Sequence, residues 1–110
     1  MTEKDTQTKI EQLQILEQNI QNFSMQKQQF QSQVIEIDNA LSEIKKGPEK
    51  VYKIISNVMI LSEKDPIKKE LESKKEVIGL RIKAVDKQTD QLKEKASKLQ
   101  QEVLEKLKEK

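Results

Sequence analysis

The chain has 110 residues, of which 36% are charged, 34% hydrophobic and 3% aromatic, a composition that suits long amphipathic helices better than a large globular core. Cysteine and histidine are absent, which excludes disulfides, thiol or imidazole metal ligands and the usual general base, so we expect no catalytic residue, no metal and no cofactor. The 21 basic and 19 acidic residues are interspersed and give a net charge of only +2, which argues against a nucleic-acid partner.

The pattern of apolar residues disfavours a membrane-spanning or a secreted protein. No apolar run approaches the ~20 residues of a membrane span, and the opening residues, MTEKDTQTK, lack the apolar region of a signal peptide. No Gly-rich phosphate loop or catalytic constellation is present, so we do not expect an enzyme. The sequence predicts a cytoplasmic protein with no membrane partner and a single domain over residues 1–110.

The first half of the chain carries a heptad pattern. Steps of three and four residues from Leu13 meet an apolar residue at nine of ten positions: Leu13, Leu16, Ile20, Phe23, Phe30, Val34, Ile37, Leu41 and Ile44, with Lys27 as the exception. This spacing predicts a helix with a coiled-coil seam, and Lys27 falls at an a position, where one polar residue can fix the register. Gly47 suits a C′ position and Pro48 cannot continue a helix, so we predict a helix over residues 5–46.

The segment VYKIISNVMIL, Val51 to Leu61, is apolar and rich in β-branched residues, which predicts a β-hairpin. Ser56-Asn57 is the expected turn, because Asn tolerates positive φ and Ser favours turns; the turn type stays open, since no Gly is present. The predicted pairing places Val51, Lys53, Ile55, Val58 and Ile60 on one face and Tyr52, Ile54, Met59 and Leu61 on the other. Both faces are largely apolar and both strands are edges, so we expect hairpins from several chains to join; the alternative is a connector buried against the helix ends.

A second heptad pattern follows the hairpin. Asp65 is a suitable N-cap and Pro66 suits the first helical position. The positions at spacings of four and three are Leu71, Lys75, Ile78, Ile82, Val85, Thr89, Leu92, Ala96, Leu99 and Val103, of which eight are apolar. We therefore predict a second helix over residues 66–109.

The two seams have nearly equal length and should pair as an antiparallel coiled coil. Two registers are possible, in which paired residue numbers sum to 112 or to 119. The first is favoured because it brings the helix ends flush at the hairpin, whereas the second sets Phe23 against the small Ala96.

Several apolar residues lie off the seam. Ile35, Val77 and Leu80 lie near the hairpin end, where a neighbouring subunit would dock, and Ile10, Ile15, Leu104 and Leu107 lie at the opposite end. Single exposed apolar residues are ordinary, but a cluster at one tip of a polar arm would form a small apolar patch.

Taken together, the Gln-rich first helix, VYKIISNVMIL, the DPIKKEL restart and the Lys/Glu-rich second helix resemble the β class of prefoldin subunits over essentially the whole chain. The VYK opening and the NVMI second strand carry the local likeness. One difference is visible, because the family usually has Gly in the turn where this chain has Ser56.

The resemblance implies a mainly α fold: a long antiparallel coiled coil of two helices, interrupted by one central β-hairpin that joins an intersubunit β-barrel. It further implies a hexamer of two α-class and four β-class subunits, which captures unfolded client proteins without ATP and passes them to a group II chaperonin. The implied oligomerisation residues are Val51, Tyr52, Ile54, Ile55, Val58, Met59, Ile60 and Leu61. The implied client-binding residues are Ile10, Leu13, Ile15, Leu16, Leu99, Val103, Leu104 and Leu107.

A second function is compatible with the same seams. A structural coiled-coil scaffold or tether without client binding would use them to pair with partner helices. The apolar hairpin argues against this function, because it separates the two seams at the midpoint of the chain.

Overall fold

The structure, a computed structural model, describes residues 3–108 and consists of two long helices separated by a hairpin. In chain order the elements are α1 (Glu3–Lys46), β1 (Lys50–Ile55), β2 (Val58–Glu63) and α2 (Lys64–Lys108). The predicted mainly α fold with one central antiparallel hairpin is therefore confirmed. Residue 109, the last of the predicted second helix, lies outside the described residues. No helix within residues 3–108 is both long and apolar enough to cross a membrane.

The chain divides into two compact units. One contains residues up to 28 together with those from 83 onwards, and the other contains Gln29–Ile82. The first unit is a pair of helical segments. The second unit holds a further pair of helical segments and the hairpin between them, so each unit has its own stretch of the seam.

The burial pattern follows the predicted seams closely. All ten seam positions of α1 are at least half-buried, as are nine of the ten in α2, and most residues between them are exposed. Ile37, Ile78, Val85 and Val103 are the most buried, with less than a tenth of each residue exposed. The one exposed seam position, Lys75, forms an ion pair with Asp38 (2.7 Å). The core of this protein is therefore a narrow apolar stripe along each helix.

Ion pairs between the helices fix the register in each unit. In the first unit Lys9 pairs with Glu102 (3.1 Å) and Lys27 with Asp86 (2.8 Å), so the paired residue numbers sum to 111 and 113. In the second unit the Asp38–Lys75 pair also sums to 113. These sums agree with the 112 register and exclude the 119 register.

The helix ends differ in detail from the predictions. Gly47 does not have positive φ; its N–H donates to the Ile44 carbonyl (3.2 Å) and closes a tight last turn. A Cβ at this position would lie 3.2 Å from the Glu43 carbonyl oxygen, a close contact, so glycine suits the space here although it does not adopt the left-handed C′ conformation. The Lys64 ammonium also lies 3.4 Å from the Gly47 carbonyl.

The second helix begins two residues earlier than predicted. β2 runs to Glu63 and α2 starts at Lys64, which places Asp65 in the first turn instead of at the N-cap. The Lys64 N–H donates to the Glu49 carbonyl (2.8 Å). This hydrogen bond closes the base of the hairpin and provides a backbone partner where an N-cap side chain was expected.

The hairpin has the predicted register. Ile55 pairs with Val58, Ile54 with Met59, Lys53 with Ile60 and Tyr52 with Leu61, and two more pairs extend the ladder to Lys50 and Glu63. In the turn, Ser56 alone has positive φ, at 55°. A type I′ turn needs positive φ at both central residues, so positive φ at the first position alone matches type II′, and the residue in the left-handed region is Ser56, not the Asn57 that tolerates it better.

Candidate functional site

One face of the hairpin is largely exposed to solvent. Its members alternate along both strands and are 54–68% exposed: Tyr52, Ile54, Met59 and Leu61, called here the outer face. An apolar surface on a single hairpin is unusual in a monomeric protein, because it gains nothing from burial until another chain covers it.

The opposite face is covered only at its base. Val51 and Lys53 are half-buried against the helices, in a groove that Ile44, Ile67 and Leu71 also line. Further along the hairpin Ile55, Val58 and Ile60 are 44–58% exposed. Seven of the eight proposed oligomerisation residues are thus exposed in the isolated chain and Val51 is the exception, which does not agree with a connector buried against the helix ends.

The free backbone groups of the hairpin belong to the outer-face residues. A two-residue turn makes the flanking pair Ile55–Val58 a hydrogen-bonded pair, and bonded and non-bonded pairs alternate from there. The N–H and C=O groups of Ile54 and Met59, and then of Tyr52 and Leu61, therefore point towards the open edges. The same four residues offer apolar side chains and backbone hydrogen bonds to an incoming strand.

An ion pair joins the hairpin to α2. Lys53 Nζ donates to Glu70 Oε2 at 2.7 Å, and Lys74 Nζ lies 3.8 Å from Glu70 Oε1. The hydrogen bond from Lys53 lowers the pKa of the Glu70 carboxyl below its ordinary value of 4.5. This contact was not predicted, although a lysine inside an otherwise apolar strand is a signal that a carboxylate lies nearby.

At the other end of the helices, the structure brings some of the proposed client-binding residues together. Ile15, Leu16 and Leu99 line one open groove, with Lys95, Lys98 and Glu102 around it. Ile15 is 59% exposed, whereas Leu16 and Leu99 are half-buried in the seam. This groove is a shallow apolar surface with charged borders.

The remaining client-binding candidates do not line this groove. Leu104 and Leu107 are 50% and 56% exposed, Ile10 and Leu13 are half-buried, and Val103 is buried in the seam with 7% exposed. Val103 could touch a client only if the helices separate there. Within residues 3–108 no group of three acidic side chains is placed to hold a metal ion.

Two long helices that pair along a heptad seam and flank an exposed apolar hairpin define a class of coiled-coil subunit. The family model described as prefoldin subunit matches residues 7–110. Prefoldin subunit beta of Pyrobaculum calidifontis is 34% identical over 86 residues, covering 76% of this chain and 69% of that protein, and prefoldin subunit beta of Archaeoglobus fulgidus is 32% identical over 99 residues, covering 88% and 85%.

A solved structure is similar as well. The crystal structure of the prefoldin beta subunit from Thermococcus strain KS-1 matches with a TM-score of 0.87 and 30% identity, covering 94% of this chain and 92% of that one. The chain belongs to the prefoldin subunit family, in its β class, and is thereby a chaperone subunit.

Proposed function

We propose that this chain is a subunit of an ATP-independent holdase. It assembles through its hairpin with α-class prefoldin subunits and further copies of itself, two α to four β, into a cytoplasmic hexamer. The tips of its helices capture unfolded proteins, which the complex transfers to a group II chaperonin. Neither catalysis nor a cofactor has a part in this proposal.

The single observation that supports assembly is the exposure of the outer face. Tyr52, Ile54, Met59 and Leu61 are each more than half exposed, and fully burying one such side chain contributes roughly 1.5–3 kcal/mol. Their backbone groups point along open strand edges, so a neighbouring hairpin can add main-chain hydrogen bonds to the apolar contact. Several hairpins joined edge to edge would bury surface that one chain leaves in water.

The apolar surface at the helix ends supports client capture. Ile15, Leu104 and Leu107 offer separate exposed side chains, and the helix ends are where a coiled coil opens most readily. One tip then binds weakly and without much selectivity. Several tips held on one assembly bind a single unfolded chain together, which raises the effective concentration of each contact.

The assembly is tested with Tyr52→Asp and Ile54→Asp. Each variant places a charge where the proposed interface would bury it without a partner, so we expect loss of the hexamer. Met25→Asp is the matched control, because Met25 is also 57% exposed and lies in α1, 25 residues before β1 begins at Lys50. Native mass spectrometry of each chain mixed with α-class subunits gives the assembled mass; intact hexamers from both hairpin variants would contradict the proposal.

The scaffold alternative predicts a different outcome from the same samples. A tether that uses its seam to pair with helices of other chains would form a dimer whose mass does not depend on Tyr52 or Ile54. If such a dimer forms and does not protect a denatured client against aggregation in the absence of ATP, the scaffold function is correct and the holdase proposal is wrong.

A further inference from the structure

Two outward surfaces of the second unit carry apolar residues that the seam does not use. On α2, Val77 and Leu80 are 47% and 61% exposed and lie beside Lys74 and Arg81, a set called here the α2 patch. On α1, Ile35 is 61% exposed and lies beside Glu36 and Asn39, a set called here the α1 patch. Spacings of three and four residues join Val77 to Lys74, Leu80 and Arg81, and join Asn39 to Ile35 and Glu36, so the members of each set are neighbours on the helix surface.

Each patch carries one charged side chain that forms no ion pair among residues 3–108, and the two are of opposite sign: Arg81 and Glu36. From Gln28 to Ile44, α1 has no lysine or arginine and carries Glu36, Asp38 and Glu43, of which Asp38 is already paired with Lys75. The α2 patch carries Arg81, the only arginine of the chain, and Lys74, which is paired with Glu70; the exposed Glu76 lies one turn before Leu80.

The two patches also lie at the same level along the helices. The Asp38–Lys75 ion pair sets these two residues opposite each other, and Ile35 and Val77 follow within one turn of it. Val77 lies thirteen residues after the start of α2 at Lys64, or ~20 Å along the helix at 1.5 Å per residue. Copies that share one hub and point the same way would therefore present the α1 patch and the α2 patch at equal heights.

We infer that the α2 patch of one copy docks against the α1 patch of a second copy of this chain. Leu80 and Val77 would pack on Ile35, and Arg81 would face Glu36. This is a heterologous contact, in which different surfaces of identical chains meet, as neighbours around a ring do. The inference rests on the proposed assembly and adds a lateral contact to the one made by the hairpins.

A photo-crosslink at position 80 identifies the occupant. Because the chain has no cysteine, Leu80→Cys carries a single benzophenone label, and the full-length labelled chain is assembled with α-class subunits and irradiated. We expect a covalent product with the mass of two copies of this chain, joined at or near Ile35. A product with an α-class subunit, or none while the hexamer is intact, would overturn the inference. Met25→Cys, equally exposed but outside both patches, is the control and should give no such product.

A charge exchange tests the polar half of the contact. Arg81→Glu and Glu36→Arg should each raise the concentration at which half of the chain is assembled, by about threefold or more. The double variant Glu36→Arg/Arg81→Glu should return it to within about twofold of the original, because the reversed pair meets across the interface. Additive losses in the double variant would contradict the pairing. If the original chain does not assemble at all, the proposed function fails; if it assembles and the exchange has no effect, only this inference fails.

Discussion

At the scale of single residues, Ser56 is the one non-glycine residue with positive φ in the described part of the chain. Its φ of 55° lies in the left-handed region, which costs an ordinary L-residue roughly 1–2 kcal/mol and glycine almost nothing. The turn holds this conformation because the strands on both sides are paired in a fixed register. The favourable pairing of the two strands offsets the local cost at Ser56.

Ser56→Gly should therefore stabilise the hairpin by about 0.5–1 kcal/mol, the remainder of the gain being offset by the greater freedom of glycine in the unfolded chain. Urea unfolding at fixed protein concentration measures the change. Asn57→Gly is the matched control, because Asn57 does not have positive φ, and it should give no gain. Equal stabilisation by both variants would mean that the left-handed residue has been placed wrongly.

Lys27 is the polar residue in the first seam, and the structure gives it a partner. Its ammonium lies 2.8 Å from the Asp86 carboxylate, and the two side chains are 38% and 46% exposed. Such an exposed pair contributes at most ~1 kcal/mol, whereas a leucine at the same a position would add roughly 1–2 kcal/mol of apolar burial. Lys27→Leu should raise the melting temperature while weakening the preference for one register.

Asp86→Asn separates the two effects in Lys27→Leu. It removes the ion pair without adding apolar surface, so we expect a change in unfolding free energy below ~1 kcal/mol. A melting temperature that falls in Lys27→Leu would show that the ion pair outweighs the apolar gain. Thermal unfolding followed by circular dichroism resolves both variants.

At the scale of elements, the junction between the hairpin and α2 depends on pH. The hydrogen bond from Lys53 keeps the pKa of Glu70 below its ordinary 4.5 in the folded chain, so the folded state favours the charged carboxylate. The stability that this contact contributes is fully present above pH 4.5 and is lost as the pH falls through the lowered folded pKa. The contact between the hairpin and α2 should thus weaken as the pH falls through this range.

Glu70→Gln tests this junction. At neutral pH it should increase amide hydrogen exchange in β1 relative to the original chain, and the difference should disappear in acid as Glu70 itself becomes protonated. Glu72→Gln is the control, since Glu72 is exposed, lies on the same helix and has no ion pair among the described residues. A difference that persisted unchanged into acid would assign the effect to packing.

The elements differ in how far the sequence alone could predict them. Both seams and the hairpin register follow from apolar periodicity over many residues, and one misplaced residue does not alter such a pattern. The start of α2 depended instead on a backbone hydrogen bond from Lys64 to Glu49 across the base of the hairpin, which no local signal indicates. A lysine in an apolar strand indicates that a carboxylate lies nearby, but it does not identify Glu70, which is seventeen residues away and meets Lys53 only because β1 lies against α2.

At the scale of the whole molecule, the periodicity of the apolar residues does not by itself determine the register between the two helices. Heptads alone allowed paired residue numbers to sum to 112 or 119, because both arrangements bury the seam. Charged residues in and beside the seam decide between the two registers, since the ion pairs Lys9–Glu102, Lys27–Asp86 and Asp38–Lys75 have residue numbers that sum to 111 or 113. Exposed pairs of this kind add little stability individually, but they select one of two arrangements whose apolar burial is similar.

The proposal that the hairpin assembles the complex and the helix ends bind the client leads to a last prediction. Leu104→Ser/Leu107→Ser should leave folding and assembly intact, because both side chains are at least half exposed and neither belongs to the seam. It should reduce protection of a denatured client several-fold, since each tip loses two apolar contacts and the loss multiplies over the tips that act together. Light scattering of a client diluted from denaturant, without ATP, measures the protection.

Met25→Ser provides the comparison for this pair of substitutions. Met25 is as exposed as Leu107, at 57% against 56%, but it lies more than twenty residues from the start of α1. If client binding depends only on exposed apolar area, this variant should lose a comparable share of the protection per residue. If the helix ends bind the client because a coiled coil opens there first, Met25→Ser should protect the client as well as the original chain does. Leu104→Ser/Leu107→Ser should then protect it less, while the mass of its hexamer is unchanged. Equal protection by all three proteins would place the client-binding surface elsewhere on the molecule.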